Sequence, residues 1–397
     1  MIKMAKKKHF AVLLAALLLV SSTAFLVNYA QAPRKPTGKP SRVKEASYII
    51  STDQVTVYAA NGETGTTEYS GTDASSVIQA GIDSLVPSGG IIWIKEGTYV
   101  ISSTVKVPGN VTLRGVGFAT KLVLADFADQ EVIANKHAND YVDSNIVITN
   151  LQIDGNGAKQ TPETQVSAIS LSKVSRSRVE GCWIHHAHAY ATSAGIYALY
   201  STYLTIRGNV IYDNPYAAIF FAGGINGIIS DNMFYHNHRA VYLAGHLNGA
   251  VEGNQIVSGD EGIRMYVSAS NNLIQGNVIK DNSEEGIVIT HPECRNNMLL
   301  GNKLFNNVVQ IFDAGTGIII KNNDGYRTEN QGIASVTNGT YIPHDLAVTP
   351  RSVQLTPTAQ RIIACIFKNS THIQVGFWFL DGNAVTEPEE AYWHAEF

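Results

Sequence analysis

The sequence predicts an all-β protein built around a long solenoid, and three observations carry that expectation. A seven-residue pattern recurs through the middle of the chain: EGCWIHH at Cys182, GNVIYDN at Asn209, DNMFYHN at Asn232, GNQIVSG at Asn254, GNVIKDN at Asn277 and GNKLFNN at Asn302. The marked residues are 27, 23, 22, 23 and 25 positions apart, and Asn323 follows 21 further on. A period in the low twenties with one apolar triplet and one fixed Asn is the mark of a β-solenoid, whose coils are stable only when stacked. Gly, Asn, Ile and Val crowd this region while long runs of helix formers are missing, which favours short strands and tight turns. Finally, 397 residues with 45% hydrophobic and 16% charged side chains suffice for a sizeable core.

The chain opens with Lys3, Lys6, Lys7 and Lys8, then an apolar run from Phe10 to Ala30 and a small-residue cleavage pattern, Ala30-Gln31-Ala32. Residues 1–32 therefore read as an export signal, either cleaved or retained as an anchor, since the apolar run approaches the ~20 residues that span a bilayer. Both alternatives place the body outside the cytoplasm, secreted or on the cell surface, because the lysines stay inside. Residues 33–45 are basic and Pro-rich and read as a flexible linker. Without the leader's four lysines the formal charge falls from −4 to −8, with 25 Lys and Arg against 33 Asp and Glu. That balance excludes a polyanion-coating nucleic-acid binder.

Asp73 is placed to cap a short helix carrying Val77, Ile78, Ile82 and Leu85 on one side, and GGIIWIKEGTYVI then starts the sheet. The segment from Asp73 to Leu124, followed by ITNLQIDGNG ending at Gly157 and by the repeats, resembles the pectate-lyase superfamily, including its rhamnogalacturonase, epimerase-like and phage tailspike members. The resemblance covers roughly residues 50–330. It implies a right-handed, single-stranded parallel β-helix with an N-terminal cap helix, over residues 46–331. Such proteins include lyases, hydrolases, epimerases and non-catalytic adhesins, so the resemblance leaves the reaction open. The DPHD-type motif of mannuronan epimerases, an RxPxxR-like motif and the aspartate triplet of polygalacturonases are missing, so no catalytic set carries over residue by residue. Homotrimeric association, frequent among tailspike-like members, is neither required nor opposed by these residues.

From residue 332 the repeat stops, and short alternating strands separated by Pro, Asn and Gly predict a small β-sandwich over 332–397. Cys182, Cys294 and Cys365 fit no metal spacing; they read as isolated thiols, with a Cys182–Cys294 pair as the alternative.

Aligning the coils on the strand after each Asn, from Ile196, Ile219, Val241, Ile263 and Ile287, generates columns. The first outward column is Tyr197, Phe220, Tyr242, Arg264 and Val288. Rings in a row suit the flat faces of sugars, or else form a ladder that merely stiffens the sheet. With Tyr266 and His188, they are the candidate substrate-binding residues. Just before this strand stand Tyr216, His238, Asp260 and Glu284, with Ala217, Arg239, Glu261 and Glu285 beside them. Stacked like charges cost stability unless neutralised or used.

His238, Arg239, Asp260, Glu261, Arg264 and Glu285 are accordingly the candidate catalytic residues. In a lyase or epimerase, Asp260, Glu261 and Glu284 would hold Ca²⁺ against a uronate while Arg or His takes the proton alpha to its carboxylate. In a glycoside hydrolase, two carboxylates would act across the glycosidic bond. The structural alternative is a solvated turn of mutually offsetting ion pairs. His185, His186 and His188 form a second concentration, read as a loop over the groove rather than a metal site, because residues three apart on a strand face opposite ways. His246, His291 and Asp154 read as structural. The functional expectation is an exported protein that binds a polysaccharide along its groove and cleaves or epimerises it; a non-catalytic glycan-binding adhesin or structural β-helix is the rival.

Overall fold

The computed structural model describes residues 45–190 and 192–397. The expected leader and nearly all of the expected linker lie outside the described residues. Among the described residues no helix is long and apolar enough to cross a membrane.

The described residues begin with the strands Tyr48–Thr52, Val57–Asn61 and Thr67–Gly71, an antiparallel meander whose first strand pairs in parallel with Gly90–Ile94 of the first coil. Between them lies the helix Ala74–Asp83. Asp73 accepts from the backbone N–H groups of Ser75 and Ser76 at 3.3 and 3.2 Å, satisfying two of the donors that a helix start leaves unpaired. Val77, Ile78 and Ile82 are buried, and the helix packs at Gly81 against Ile50, Ile92 and Tyr48.

From there three sheets of 13, 9 and 9 strands wind together, the first counting the three meander strands, and the strands of successive coils run parallel in all three. Each coil contributes one strand to each sheet, in register with the coil before it. Ile206, Ile229, Val251 and Ile274 stack in the first sheet, Ile211, Phe234, Ile256 and Ile279 in the second, and Ile219, Val241, Ile263 and Ile287 in the third. None of these twelve side chains is more than 2% exposed, so the interior is a close stack of branched aliphatics with one aromatic ring, Phe234.

The repeated Asn turns inward, as its pattern predicts. Asn232 illustrates the bond set: its Nδ2 donates to Asn254 Oδ1 at 3.0 Å and to Ile206 O at 2.9 Å, while its N–H donates to Asn254 Oδ1 at 3.0 Å. The ladder runs unbroken from Asn209 to Asn323, and the N–H of Cys182 joins it through Asn209 Oδ1 at 2.9 Å. The glycine before Asn209, Asn254, Asn277 and Asn302 has φ between 60 and 65°, the left-handed turn that aims the amide inward. A second ladder, Asn214 to Asn237 and Asn282 to Asn307, occupies the next corner, with Gly259 in the gap and its N–H on Asn282 Oδ1.

Residues 329–397 form two three-stranded antiparallel sheets. Ile342, Ile373, Val375, Phe377 and Trp393 lie in a core separate from that of the solenoid. The first of these strands, Glu329–Val336, starts three residues before the composition changes. Cys182 and Cys294 are free and buried, and burial pushes the Cys182 thiol up to about 12.

Candidate functional site

Strand alternation fails at one corner of the third sheet, and that failure positions the charged groups. Gly195, Ala218, Ala240, Gly262 and Gly286 precede the inward residues Ile196, Ile219, Val241, Ile263 and Ile287, yet they too face the interior. A Cβ on Gly262 would lie 2.7 Å from Ile279 Cγ2, and one on Gly286 2.9 Å from Leu304 Cδ2. Two consecutive inward positions throw Arg239, Glu261 and Glu285 outward, onto the same side as Tyr242 and Arg264.

There Glu261 is clamped. Its Oε2 accepts from Arg239 Nε at 3.3 Å and its Oε1 from Arg264 Nη1 at 2.5 Å, and the residue is only 3% exposed. Both guanidinium groups also lie over the Tyr242 ring, at 5.5 and 5.7 Å from its centroid, and Arg239 lies over Tyr216 as well. Asp260 turns the other way. Its Oδ2 is 2.6 Å from His238 Nδ1, and Ser283 Oγ donates to its Oδ1 at 2.7 Å. Burial would raise the Asp260 carboxyl, but the Ser283 and His238 hydrogen bonds and the nearby positive charge outweigh it and hold it below the ordinary carboxylate range.

The predicted oxygen set for Ca²⁺ is therefore divided. Glu261, Glu284 and Glu285 bring carboxylate oxygens within 4.8 Å of one another, and Asp260 is not part of that group. A hard dication takes six to eight oxygens. With Glu261 neutralised by two guanidinium groups and Asp260 held by His238 and Ser283, these residues do not fit Ca²⁺ as they stand.

The aromatic column has the predicted register, Tyr197 to Phe220 to Tyr242 to Arg264 to Val288. Ring centroids are 5.5 Å apart for Tyr197–Phe220 and 4.8 Å for Phe220–Tyr242. Phe220 and Tyr242 are only 8% and 9% exposed, however, because Tyr216 and the two arginines cover them. Their faces are not free platforms for sugar rings. Tyr266, at 37% exposure, is the open ring on this strip.

A second region lies at the end of the second sheet. The residues after its strands, among them His186, Asp213 and His236, have φ of 53 to 55°, a left-handed conformation that Asp, Asn and His tolerate better than most. A cleft of about 730 Å³ opens here, lined by Asp154, His186, His188, Asp213, Glu163 and Tyr190 among others. His188 is largely buried and accepts from the Tyr190 N–H at 3.3 Å.

Asp154 does more than form a turn. It pairs in register with His185, and its Oδ2 bonds Lys121 Nζ at 2.7 Å. Burial would raise its carboxyl, but the Lys121 hydrogen bond and its other partners hold it low; burial drives the His185 imidazole down to about 4. His185 stacks on Tyr212 and Tyr212 on Tyr235, at 4.7 and 4.8 Å. A shallower depression follows, lined by Pro215, His236, His238, Ser258 and Asp260; Pro215 lines the cleft as well.

The family model described as a right handed beta helix region matches residues 167–331, and the protein is a right-handed parallel β-helix. No curated protein matches the sequence. Among solved structures, ORF18 of Geobacillus virus E2 is 13% identical with a TM-score of 0.51, over 84% of this chain and 85% of its own. The DFA-IIIase of Arthrobacter chlorophenolicus A6, solved in complex with GF2, is 14% identical over 64% of this chain and 84% of its own, with a TM-score of 0.47. The A-module of the Azotobacter vinelandii mannuronan C-5 epimerase AlgE4 is 17% identical over 58% and 73%, with a TM-score of 0.41. At these identities the likeness is one of fold.

Proposed function

We propose that the protein is exported, acts outside the cytoplasm, and binds a polysaccharide along this face of the solenoid, where it cleaves or epimerises the chain. The observation that supports this reading is the track formed by the cleft and the depression beyond it. They meet at Pro215 and succeed one another from coil to coil, lined by His186, His188 and Asp213 and then by His238 and Asp260. A track crossing several coils suits a chain of sugars better than a single small molecule.

On this reading Asp260 orients His238 through Nδ1 and leaves Nε2 for proton transfer with the substrate. Arg239, whose positive charge helps to hold the Asp260 carboxyl low, is the cation nearest this dyad for the carboxylate of an acidic sugar. The test incubates the full chain with acidic and neutral polysaccharides, with and without Ca²⁺. It follows the ultraviolet absorbance of unsaturated uronates, reducing ends, and solvent deuterium entering the sugar. Absorbance with reducing ends means a lyase, reducing ends alone a hydrolase, and deuterium alone an epimerase. Asp260→Asn should lower the rate about 100-fold while leaving the unfolding midpoint in place; an unchanged rate overturns the assignment of the dyad.

A second reading, a glycan-binding adhesin without catalysis, is favoured by the mutual neutralisation of Glu261, Arg239 and Arg264. Binding without turnover, retained in Asp260→Asn and lost in Tyr266→Ala, would select it.

A further inference from the structure

We infer that Asp154, His185 and His186 form a site for a borderline transition-metal dication, Zn²⁺ by preference, at the floor of the cleft. Strand alternation alone would separate two adjacent histidines. His185 ends its strand facing outward, and the left-handed backbone of His186, φ 55°, swings the second imidazole round to meet the first. The parallel register sets Asp154 of the preceding coil beside His185.

Three potential ligand atoms thereby converge. His185 Nδ1 is 2.8 Å from His186 Nδ1, and Asp154 Oδ1 is 3.7 and 3.5 Å from them. Tetrahedral Zn²⁺ with bonds of about 2.0 to 2.1 Å sets its ligand atoms about 3.3 Å apart, within the spread of this triangle. Two imidazole nitrogens and one carboxylate oxygen suit Zn²⁺ and its neighbours in the transition series; Ca²⁺ and Mg²⁺ call for oxygen.

The surroundings match what a metal-binding histidine needs. The Gln152 side-chain amide lies 2.9 Å from His185 Nε2, and with its oxygen turned inward it accepts that N–H and leaves Nδ1 unprotonated. Asp213 Oδ2 lies 3.8 Å from His186 Nε2, the place of the carboxylate that steadies a metal-bound imidazole. Lys121 engages only Asp154 Oδ2; Oδ1 accepts from the Asn156 N–H at 3.0 Å and keeps its second lone pair for the triangle. His185 and Asp154 are 3% and 8% exposed, so two of the three donors are already held in place. Asp154 and His186 also line the cleft, so the remaining coordination position opens toward it.

The test uses the full chain, stripped by chelator and dialysed against Zn²⁺ at low micromolar concentration, with bound metal counted by mass spectrometry. Co²⁺ loading adds a readout, visible d–d bands of tetrahedral intensity. The expected result is one Zn²⁺ per chain, retained against excess Ca²⁺, and tetrahedral Co²⁺ bands. His186→Asn should abolish both, since Asn tolerates the left-handed conformation but removes the imidazole. His186→Gly repeats the test in a residue that adopts that backbone without strain. His291→Asn, several coils further on beside Glu293, should leave binding unchanged. Absence of stoichiometric Zn²⁺, undiminished binding in both His186 variants, or loss in His291→Asn would each overturn the proposal.

Discussion

Two columns of the same solenoid, the inner asparagines and the outer edge of the third sheet, follow the same register and obey opposite rules. The inner column repeats one residue, Asn209, Asn232, Asn254, Asn277, Asn302 and Asn323, each joined to the next. The outer column reads Ala194, Ala217, Arg239, Glu261, Glu285 and Val309, with no such repetition. An amide both donates and accepts, so it can stack on itself indefinitely. A carboxylate only accepts and repels its copy, so Glu261 is tolerated between coils because Arg239 and Arg264 reach it from two sides. Where a solenoid repeats a polar residue it is bonding coil to coil; where a polar column changes identity, the residues answer to something other than stacking.

The sharpest way to break this contrast is to remove one rung. Asn254→Ala deletes the acceptor used by Asn232 and the donor to Ile229 O and Asn277, leaving several buried groups unpaired. At about 1–3 kcal/mol for each unsatisfied group, the loss should be about 4 kcal/mol in chemical denaturation. A loss under about 1 kcal/mol would mean that the ladder is dispensable. Next comes Glu261→Ala, which leaves two part-buried arginines facing each other without their shared anion. About 3 kcal/mol of destabilisation is expected. Near-neutral stability together with lost turnover would instead make Glu261 a catalytic group.

The smallest effect is a pH dependence at a third polar cluster, in the early coils. Asp143, 2% exposed, accepts from the N–H groups of Gly109 and His137 and from Asn135 Nδ2, at 2.9, 2.6 and 3.0 Å. Burial would raise its carboxyl, but His137 and these donors keep it below the ordinary value. A depressed carboxyl contributes stability that is complete above the unfolded-state value, about 4, and is lost as the pH falls through the lower folded value. Acid titration of the unfolding free energy should show this decline, and Asp143→Asn should flatten it. An unchanged slope in the variant would remove Asp143 from the account.

Much of the solenoid was legible because its signals are local and repeated. The period, the inward asparagines, the strand register and the capping role of Asp73 all follow from spacing and residue type. The second asparagine ladder was equally readable, as the last letter of GNVIYDN, DNMFYHN, GNVIKDN and GNKLFNN, interrupted only at Gly259. The candidate site was less legible. Its columns could be aligned, but alternation does not foresee two successive inward residues at Gly262 and Ile263, nor the left-handed turn at His186. Both depend on backbone angles at a corner that neighbouring coils impose.

By itself, then, the sequence determined the architecture: periodic apolar triplets and self-complementary amides admit few arrangements other than stacked coils. Only the tertiary structure decided which polar groups meet. It set Asp154 beside His185 across a coil, folded Tyr216 and two arginines over Phe220 and Tyr242, and parted Asp260 from Glu261. Those outcomes rest on side-chain direction at strand ends. One residue's φ there reverses the face a side chain presents, and composition and spacing carry no record of it.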